Sequence, residues 1–260
     1  MRSKNGWKTV GWEITALVVV LGNVSAVWAQ GWGSVTGQFV LEGPLPAPKV
    51  LIHQGDKKVK DAEVCAAHDV PAEDLIVDPT TKGIKNIFVY LRRAPRAVHP
   101  DLKQSRVKEL VQDQIGCRYV PHAMIVRTDQ TVVVKSDDPI AHNTHTYPIF
   151  NQPLNVVLKP RDRAGIKVTF RAPEMLPIPI KCDLHPWMLA YWLVVNHPYA
   201  ALTDEQGRFT IEKLPAGRHT LTVWHERVGY VNRRLKVTVK DGETTDLGVI
   251  PVPLSKFQKK

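Results

Sequence analysis

One short segment, KCDLHPWM at residues 181–188, holds three side chains that can bind a transition metal. Cys182, His185 and Met188 follow one another at three-residue intervals, with a proline and a tryptophan before the methionine. Thiolate and thioether are soft ligands, and imidazole is a ligand for zinc, copper, iron and nickel. Taken alone, this spacing is compatible with a metal-binding loop, a redox-active thiol or an ordinary strand end.

A second histidine, His142, lies in SDDPIAHNTHTYP, directly after the apolar run TVVVKS. Both segments are predicted at strand ends, so the loops that carry them can meet. Two imidazoles, one thiolate and a weak axial thioether form the ligand set of a blue-copper site. Zinc could use the same ligands, but structural zinc sites have more cysteine and histidine and no methionine. We therefore expect one copper ion at His142, Cys182, His185 and Met188.

The segment from about Tyr119 to Val195 resembles the cupredoxins, with an amicyanin-like ligand loop. The resemblance lies in YVPHAMIV, TVVVKSDDPIAHNTH and IKCDLHPWM, and it covers near a third of the chain. It implies an eight-stranded Greek-key sandwich that holds one type 1 copper ion. It also implies three equatorial ligands (His142, Cys182 and His185), an axial ligand (Met188), and support of the cysteine sulfur by Asn143. The proline-rich LPIPIK before the cysteine departs from the aromatic-rich strand usual in this family.

Three other residues near the ligand segments are not expected to bind the metal. His145 is interpreted as a structural histidine, and His122 as a surface or strand histidine. Trp187 has two interpretations: it packs in the loop, or it forms an apolar face through which electrons leave His185. In this hypothesis His185 lies at the edge of the site, near solvent.

The other two cysteines, Cys65 and Cys117, are candidates for a disulfide. An odd number of cysteines in an exported chain leaves one thiol to be explained, and this pairing would leave Cys182 free. The bridge would close a loop of about 50 residues and stabilise the fold by about 4 kcal/mol in the chain-entropy model. Two free thiols or a separate metal site are the alternatives.

The N-terminus has the pattern of a secretory signal peptide, predicted over residues 1–29. Basic residues precede the apolar run ITALVVVLG, and SAVWAQ supplies small residues for cleavage after Ala29. An uncleaved anchor is the alternative, although the run is short for a membrane span. The formal net charge of the full chain is +10, and the mature chain stays basic. We expect an exported protein, periplasmic or extracellular, with an acidic redox partner and no nucleic acid.

The C-terminal segment from Ala201 reads as short alternating strands with turns at DEQG, LPAG and KDGE. TDEQGRFTIEKLPAGRHTLTVWHE resembles carboxypeptidase regulatory-like domains, which are small transthyretin-like sandwiches. This resemblance implies a structural or adhesive role, including association with the cell surface. The VWHE stretch is not a zinc-protease motif, because Gly229 stands where the second histidine would be.

The predicted fold class is all-β: a cupredoxin Greek-key sandwich and a small carboxypeptidase regulatory-like β-sandwich. The predicted parts are a β region of uncertain assignment (30–110), a copper domain (111–198) and the C-terminal sandwich (199–260). GSVTGQFVLEG resembles the first strand of the C-terminal domain, so the copper domain is either inserted into that domain or extended by the N-terminal strands. One helix is predicted in VHPDLKQSRVKELVQDQ.

The function predicted from these features is that of a type 1 copper protein that carries single electrons. The alternatives are a copper-binding or copper-delivery module without a redox role, and a surface- or carbohydrate-binding protein on a cupredoxin scaffold. No enzyme activity is expected, because the sequence has no catalytic triad and lacks the additional histidine clusters with which a copper oxidase reduces dioxygen.

Overall fold

The structure is a computed structural model that describes residue 6 and residues 30–258. The predicted signal peptide, apart from Gly6, lies outside these residues. Almost all regular structure in the described part is β-strand, which confirms the all-β fold class. Within residues 30–258, no helix is long and apolar enough to cross a membrane.

Eighteen strands and one short α-helix are found in the described residues. The strands are β1 (Trp32–Glu42), β2 (Val50–Ile52), β3 (Val70–Pro71), β4 (Phe88–Leu91), β5 (Glu109–Gln114), β6 (Tyr119–Val120), β7 (Ala123–Arg127), β8 (Thr131–Val134), β9 (His142–Thr146), β10 (Asn155–Leu158), β11 (Ile166–Thr169), β12 (Ile178–Lys181), β13 (Leu189–Val195), β14 (Ala200–Leu202), β15 (Arg208–Pro215), β16 (Gly217–His225), β17 (Gly229–Val239) and β18 (Thr244–Pro253). The helix α1 spans Ala62–Cys65, and 3-10 turns span Pro100–Leu102 and Leu254–Lys256.

The ligand segments lie in a sandwich of two sheets. One sheet has the order β10-β9-β12-β13-β7 and the other β11-β8-β5-β6. Apolar residues from both sheets form its core, among them Val126 and Trp192 from the first and Val132 and Val134 from the second. Cys182 belongs to the same buried cluster, so the packing of this core holds the cysteine loop in place.

The second sandwich combines strands from both ends of the described chain. Its sheets have the orders β15-β1-β18 and β14-β4-β16-β17. The N-terminal strand β1 runs antiparallel to β15 and parallel to β18. These pairings favour insertion of the sandwich that carries the ligand segments into the C-terminal domain. The residue boundaries 30–110, 111–198 and 199–260 stay predictions.

The two sandwiches share a third apolar cluster, and β4 shows why it forms. Successive side chains of a strand point to opposite faces of its sheet. Val89 lies in the core of the C-terminal sandwich, whereas Phe88 and Tyr90 face the other way. They pack in the cluster that contains Leu193 of β13 and Trp224 of β16. Because both faces of β4 are covered, its sequence FVYL has no polar alternation.

The predicted helix in VHPDLKQSRVKELVQDQ is wrong. Only Pro100–Leu102 forms a 3-10 turn, and the end of the segment is β5, which pairs in parallel with β8. The inward-facing side chains of β5 include two glutamines, which conceal the strand pattern in the sequence. Gln112 accepts a hydrogen bond from Trp192 Nε1 at 2.6 Å, and Gln114 donates to Thr144 Oγ1 at 2.9 Å. These bonds compensate part of the cost of burying the two side chains, while Gln114 Oε1 is buried without a hydrogen-bond partner.

Candidate metal centre

The predicted ligands come from two neighbouring segments of one sheet. His142 begins β9, and the loop from β12 to β13 carries Cys182, His185 and Met188. Because β9 pairs with β12, the loop lies beside the start of β9. The loop is closed by its own backbone, with Met188 N donating to the His185 carbonyl at 2.9 Å. All four side chains are buried.

Three donor atoms form a triangle. His142 Nδ1 and His185 Nδ1 are 2.9 Å apart, and Cys182 Sγ lies 4.0 Å from the first and 3.6 Å from the second. Metal–nitrogen and metal–sulfur bonds of about 2.0 and 2.3 Å would place the donors of one trigonal ion about 3.5 Å apart. The residues present therefore fit a single ion with an N₂S donor set, which is the equatorial set of type 1 copper.

Each imidazole is held from its far side by a carboxylate. His142 Nε2 donates to Asp138 Oδ2 at 2.8 Å, and His185 Nε2 donates to Asp61 Oδ2 at 2.9 Å. With Nε2 engaged by a carboxylate, Nδ1 of each ring is the nitrogen that faces the other imidazole and Cys182. This carboxylate–histidine arrangement is typical of metal ligands, whose orientation and basicity it sets.

Asp61 and Asp138 belong to the candidate site, and the sequence analysis missed both of them. Asp138 lies four positions before His142 in the chain, and its place in SDDP after a strand is a signal that could have been used. Asp61 lies 124 positions before His185. No local pattern connects two residues at that separation.

The thiol of Cys182 is activated by the same histidines. Burial opposes ionisation of the thiol, but hydrogen bonds from His142 and His185 and from the backbone of Asn143 outweigh it and lower the pKa of Cys182 to about 6. Burial also opposes the charging of His142, and its bonds with Asp138 and Cys182 raise its pKa nonetheless. The thiolate needed for metal binding is thus accessible near neutral pH.

Asn143 joins the two ligand segments. Its Oδ1 accepts hydrogen bonds from Asp183 N at 2.7 Å and Leu184 N at 3.3 Å, and it lies 3.3 Å from Cys182 Sγ. The Asn143 carbonyl accepts from Tyr119 Oη at 2.6 Å. Asn143 therefore fixes the start of the cysteine loop against β9.

Two histidines lie outside the cluster of metal-binding side chains. His145 contacts Asp183, with 3.1 Å between its Nδ1 and the carboxylate, and its ring stacks on Tyr147. His122 was expected at the surface or on a strand, and the surface interpretation is wrong. Its side chain is buried, and Nε2 contacts Glu226 on the C-terminal sandwich.

Cys65 and Cys117 form a disulfide, and Cys182 is the free cysteine of the described chain. The bridge lies next to the site, because Cys117, Asp138 and His142 also cluster. Cys117 N donates to Asp138 at 2.8 Å, and Cys65 ends the helix that follows Asp61. One covalent bond thus connects the two segments whose carboxylates hold the imidazoles.

The expectation that His185 lies at a solvent-exposed edge is wrong. His185 is 0% exposed, because the segment before α1 places Asp61 over its Nε2 atom. Trp187 packs on the ring at 5.3 Å between centroids and donates from Nε1 to the Cys117 carbonyl at 3.2 Å. Packing in the loop is therefore one role of Trp187, and its role in electron transfer stays a prediction.

Comparison with known proteins supports the C-terminal part of the sequence interpretation. Residues 193–251 match the carboxypeptidase regulatory-like domain, which confirms that predicted domain. No curated protein matches the chain.

Several solved structures are similar to part of the chain. The Cu(I) form of an amicyanin variant is 19% identical, covers 34% of this chain and 82% of that protein, and has a TM-score of 0.30. An oxidised amicyanin variant is 20% identical with the same coverages and a TM-score of 0.30. The Cu-containing nitrite reductase of Thermus scotoductus SA-01 is 17% identical, covers 40% of this chain and 27% of that protein, and has a TM-score of 0.31.

Proposed function

We propose that the chain is an exported type 1 copper protein that carries single electrons and is not an enzyme. The observation that carries this proposal is the buried convergence of one thiol and two imidazole Nδ1 atoms, 2.9–4.0 Å apart, with each imidazole fixed by a carboxylate. Met188, buried in the same loop, would supply a weak thioether ligand. When bound, copper supplies a one-electron couple.

The protein's contribution is to keep the donor atoms in place while the charge of the site changes. Asp138 and Asp61 fix the imidazole rings, and Asn143 fixes the cysteine loop. Because the site is buried within the sandwich core, water does not need to reorganise around it. A mixed set of soft sulfur and imidazole nitrogen suits both copper oxidation states, so little rearrangement accompanies electron transfer.

The location and partner follow from other features. A disulfide is typical of oxidising compartments outside the cytoplasm, so Cys65–Cys117 supports export to the periplasm or beyond. The basic charge of the chain favours an acidic redox partner. Attraction between the opposite charges would accelerate association of the two proteins at low salt. The C-terminal sandwich would position the copper domain against that partner or the cell surface.

Copper loading of the mature protein tests the proposal. The loaded protein is expected to be intensely blue, because the Cys182 thiolate transfers charge to the metal, and to show a reversible one-electron couple in voltammetry. Cys182→Ser removes the thiolate and should abolish the colour. His145→Gln changes a neighbouring histidine outside the donor cluster and should keep it. Bound copper without the blue band would contradict the proposal, and a blue site without a reversible couple would indicate copper storage or delivery instead.

A further inference from the structure

Several large apolar side chains are exposed together beyond the end of β9. Tyr147, Ile149 and Phe150 lie in the connection between β9 and β10 and are 40%, 65% and 54% exposed. Met175, which is 44% exposed, follows Glu174, the residue that binds this connection. Single exposed apolar residues are ordinary, but a cluster of them marks a surface that binds another molecule.

The connection is held in one conformation by the buried carboxylate of Glu174. This carboxylate accepts hydrogen bonds from the backbone nitrogens of Ile149 at 3.0 Å, Phe150 at 2.9 Å and Asn151 at 3.2 Å. The Asn151 side chain donates to Glu174 at 2.8 Å and accepts from Arg171 N at 2.8 Å. The exposure of Ile149 and Phe150 is therefore built into a hydrogen-bonded loop.

Every backbone N–H group from Tyr147 to Asn151 has an acceptor. Tyr147 N donates to the Pro179 carbonyl at 3.3 Å, Pro148 has no N–H group, and the next three residues donate to Glu174. An unpaired N–H group is costly to move into an apolar medium, and lipid hydrocarbon supplies no acceptor for it. The paired donors therefore lower the cost of moving this loop into an apolar medium.

The surroundings of the loop are basic. Arg92 Nη2 lies 3.3 Å from Met175 Sδ, and Lys181 Nζ lies 5.3 Å from the centre of the Tyr147 ring. Arg171, whose backbone is bonded to the loop, is also exposed. Within residues 30–258, none of these three cations forms an ion pair with a carboxylate.

Two carboxylates are also linked to this surface. Glu174 lies buried under the loop and is engaged by the loop donors. Asp183 is exposed and contacts His145, whose Nδ1 lies 2.9 Å from Tyr147 Oη. Two asparagine side chains also donate to Asp183, each at 2.9 Å. Both carboxylates thus have donors of their own, and the three cations leave the exposed charge of the surface positive.

We propose that this surface attaches the protein to an anionic lipid bilayer. Ile149 and Phe150 enter the boundary between headgroups and acyl chains, while Arg92, Arg171 and Lys181 bind lipid phosphates. Interfacial segments bind membranes by this combination of apolar burial and attraction to anionic lipid.

A bilayer fits this surface better than an acidic protein does. The two most exposed side chains of the loop, Ile149 and Phe150, have no hydrogen-bonding group, and their backbone donors are already paired. The inference goes beyond the proposed function, because the surface contains none of the candidate metal ligands and does not depend on copper.

Cosedimentation of the metal-free mature chain with lipid vesicles tests the proposal. Vesicles of equal parts phosphatidylcholine and phosphatidylglycerol should bind the protein, and less tightly at high salt. Vesicles of phosphatidylcholine alone should bind it much more weakly, since each cation near an anionic surface adds about fivefold in affinity. Equal binding to both kinds of vesicle would overturn the proposal, and no binding to the anionic vesicles would assign the surface to a protein partner.

The apolar contribution is tested at the tip of the loop. Ile149→Ser combined with Phe150→Ser should weaken binding to the anionic vesicles about tenfold or more, because the apolar burial is lost. Val249→Ser changes a β-branched residue of β18 that is 61% exposed and should leave binding unchanged. Full binding by the double variant would mean charge attraction alone and would overturn insertion of the loop. A parent chain that dimerises through Ile149 and Phe150 and binds no vesicles would show that the surface joins two copies.

The charge contribution is tested with a matched pair of double variants. Arg171→Ala combined with Lys181→Ala should weaken binding to the anionic vesicles at least tenfold. Lys57→Ala combined with Lys58→Ala removes the same charge from exposed positions outside the surface and should keep the affinity within about twofold. An equal loss in the two double variants would assign binding to the overall charge of the chain and overturn the proposal.

Discussion

Replacing Asp138 with asparagine should weaken the candidate metal site by removing hydrogen bonds that hold Asp138 and the His142 ring in place. Asp138 accepts three hydrogen bonds: its Oδ1 from Gly116 N at 2.7 Å, and its Oδ2 from Cys117 N at 2.8 Å and from His142 Nε2 at 2.8 Å. An asparagine has one acceptor oxygen and one NH₂ group. In either orientation of the amide, the NH₂ group faces an N–H donor: Gly116 N on one side, or Cys117 N and His142 Nε2 on the other. At least one of the three bonds is therefore lost.

In the orientation that faces His142, the NH₂ group would have to donate to Nε2, which moves the ring proton to Nδ1. Nδ1 is the atom that faces Cys182, so in that orientation the imidazole would lose the lone pair with which it would bind a metal. Loss of a hydrogen bond to a charged group costs about 1.5–3 kcal/mol, and loss of such partners typically lowers metal affinity 10–100-fold. We expect copper affinity to fall at least tenfold, with weaker blue absorption.

Asp61→Asn, at the carboxylate that holds His185, is expected to have a smaller effect on copper affinity than Asp138→Asn. Asp61 is 33% exposed at the side chain and accepts one hydrogen bond, from His185 Nε2. Its amide can rotate so that the oxygen still accepts and the NH₂ group faces solvent. Its backbone is in the left-handed region at φ 52°, which asparagine adopts readily. The loss of affinity should therefore be smaller than in Asp138→Asn.

Competition with a chromophoric copper chelator measures these affinities. Asp113→Asn is the matched control: this buried carboxylate pairs with Arg163 at 2.8 Å and does not belong to either metal-type cluster. It should leave copper affinity within about twofold. The reasoning is refuted if Asp138→Asn binds copper as tightly as the parent protein, or if Asp113→Asn loses as much affinity.

Three further predictions concern the disulfide, the cysteine loop and acid stability. Replacing Cys65 and Cys117 together with serine should lower the free energy of unfolding by about 4 kcal/mol in the chain-entropy model, measured by urea denaturation; an unchanged midpoint would contradict the prediction. Asn143→Ala removes the acceptor that fixes the cysteine loop and should lower copper affinity about tenfold in the same chelator assay. An unchanged copper affinity would show that the loop keeps its conformation without the Asn143 side chain. Burial lowers the pKa of His197 to about 4, while its Nε2 donates to the Leu91 carbonyl. Below its unfolded pKa of about 6.5, the unfolded chain binds the proton more readily than the folded one, so this residue should cost about 2 kcal/mol of stability between pH 7 and pH 5. His197→Gln keeps a side-chain N–H donor for the Leu91 carbonyl and should reduce the loss of stability between pH 7 and pH 5 by about 2 kcal/mol. If the pH dependence of stability is unchanged in this variant, other groups cause it.

The ligand segments could be interpreted from the sequence because they are short. Cys182, His185 and Met188 lie within one loop, and His142 follows a strand that alternation makes visible. The same holds for the C-terminal sandwich, where turns separate regular strands. Local patterns of this kind depend on residue spacing alone, so a single sequence contains them.

Other features depend on contacts between distant parts of the chain. The strand β5 was predicted as a helix because Gln112 and Gln114 face inward, and only their partners Trp192 and Thr144 make those positions compatible with a buried strand. The pairing of β1 with β18 connects residues some 210 positions apart. Asp61 likewise reaches His185 only through the fold, which is why burial of that histidine could not be foreseen.

The disulfide and the two carboxylates act on the site as one unit. Asp61 precedes the helix that ends at Cys65, and Asp138 accepts from the backbone of Cys117. The covalent bond between the cysteines therefore restrains both groups that orient the imidazoles, and it does so in the folded state as well as in the unfolded chain. Because this arrangement covers His185, an electron that entered or left the site under the proposed function would pass through protein atoms. Trp187 contacts the His185 ring and also lines a cavity beside the loop, so it lies between the buried donor atoms and that cavity.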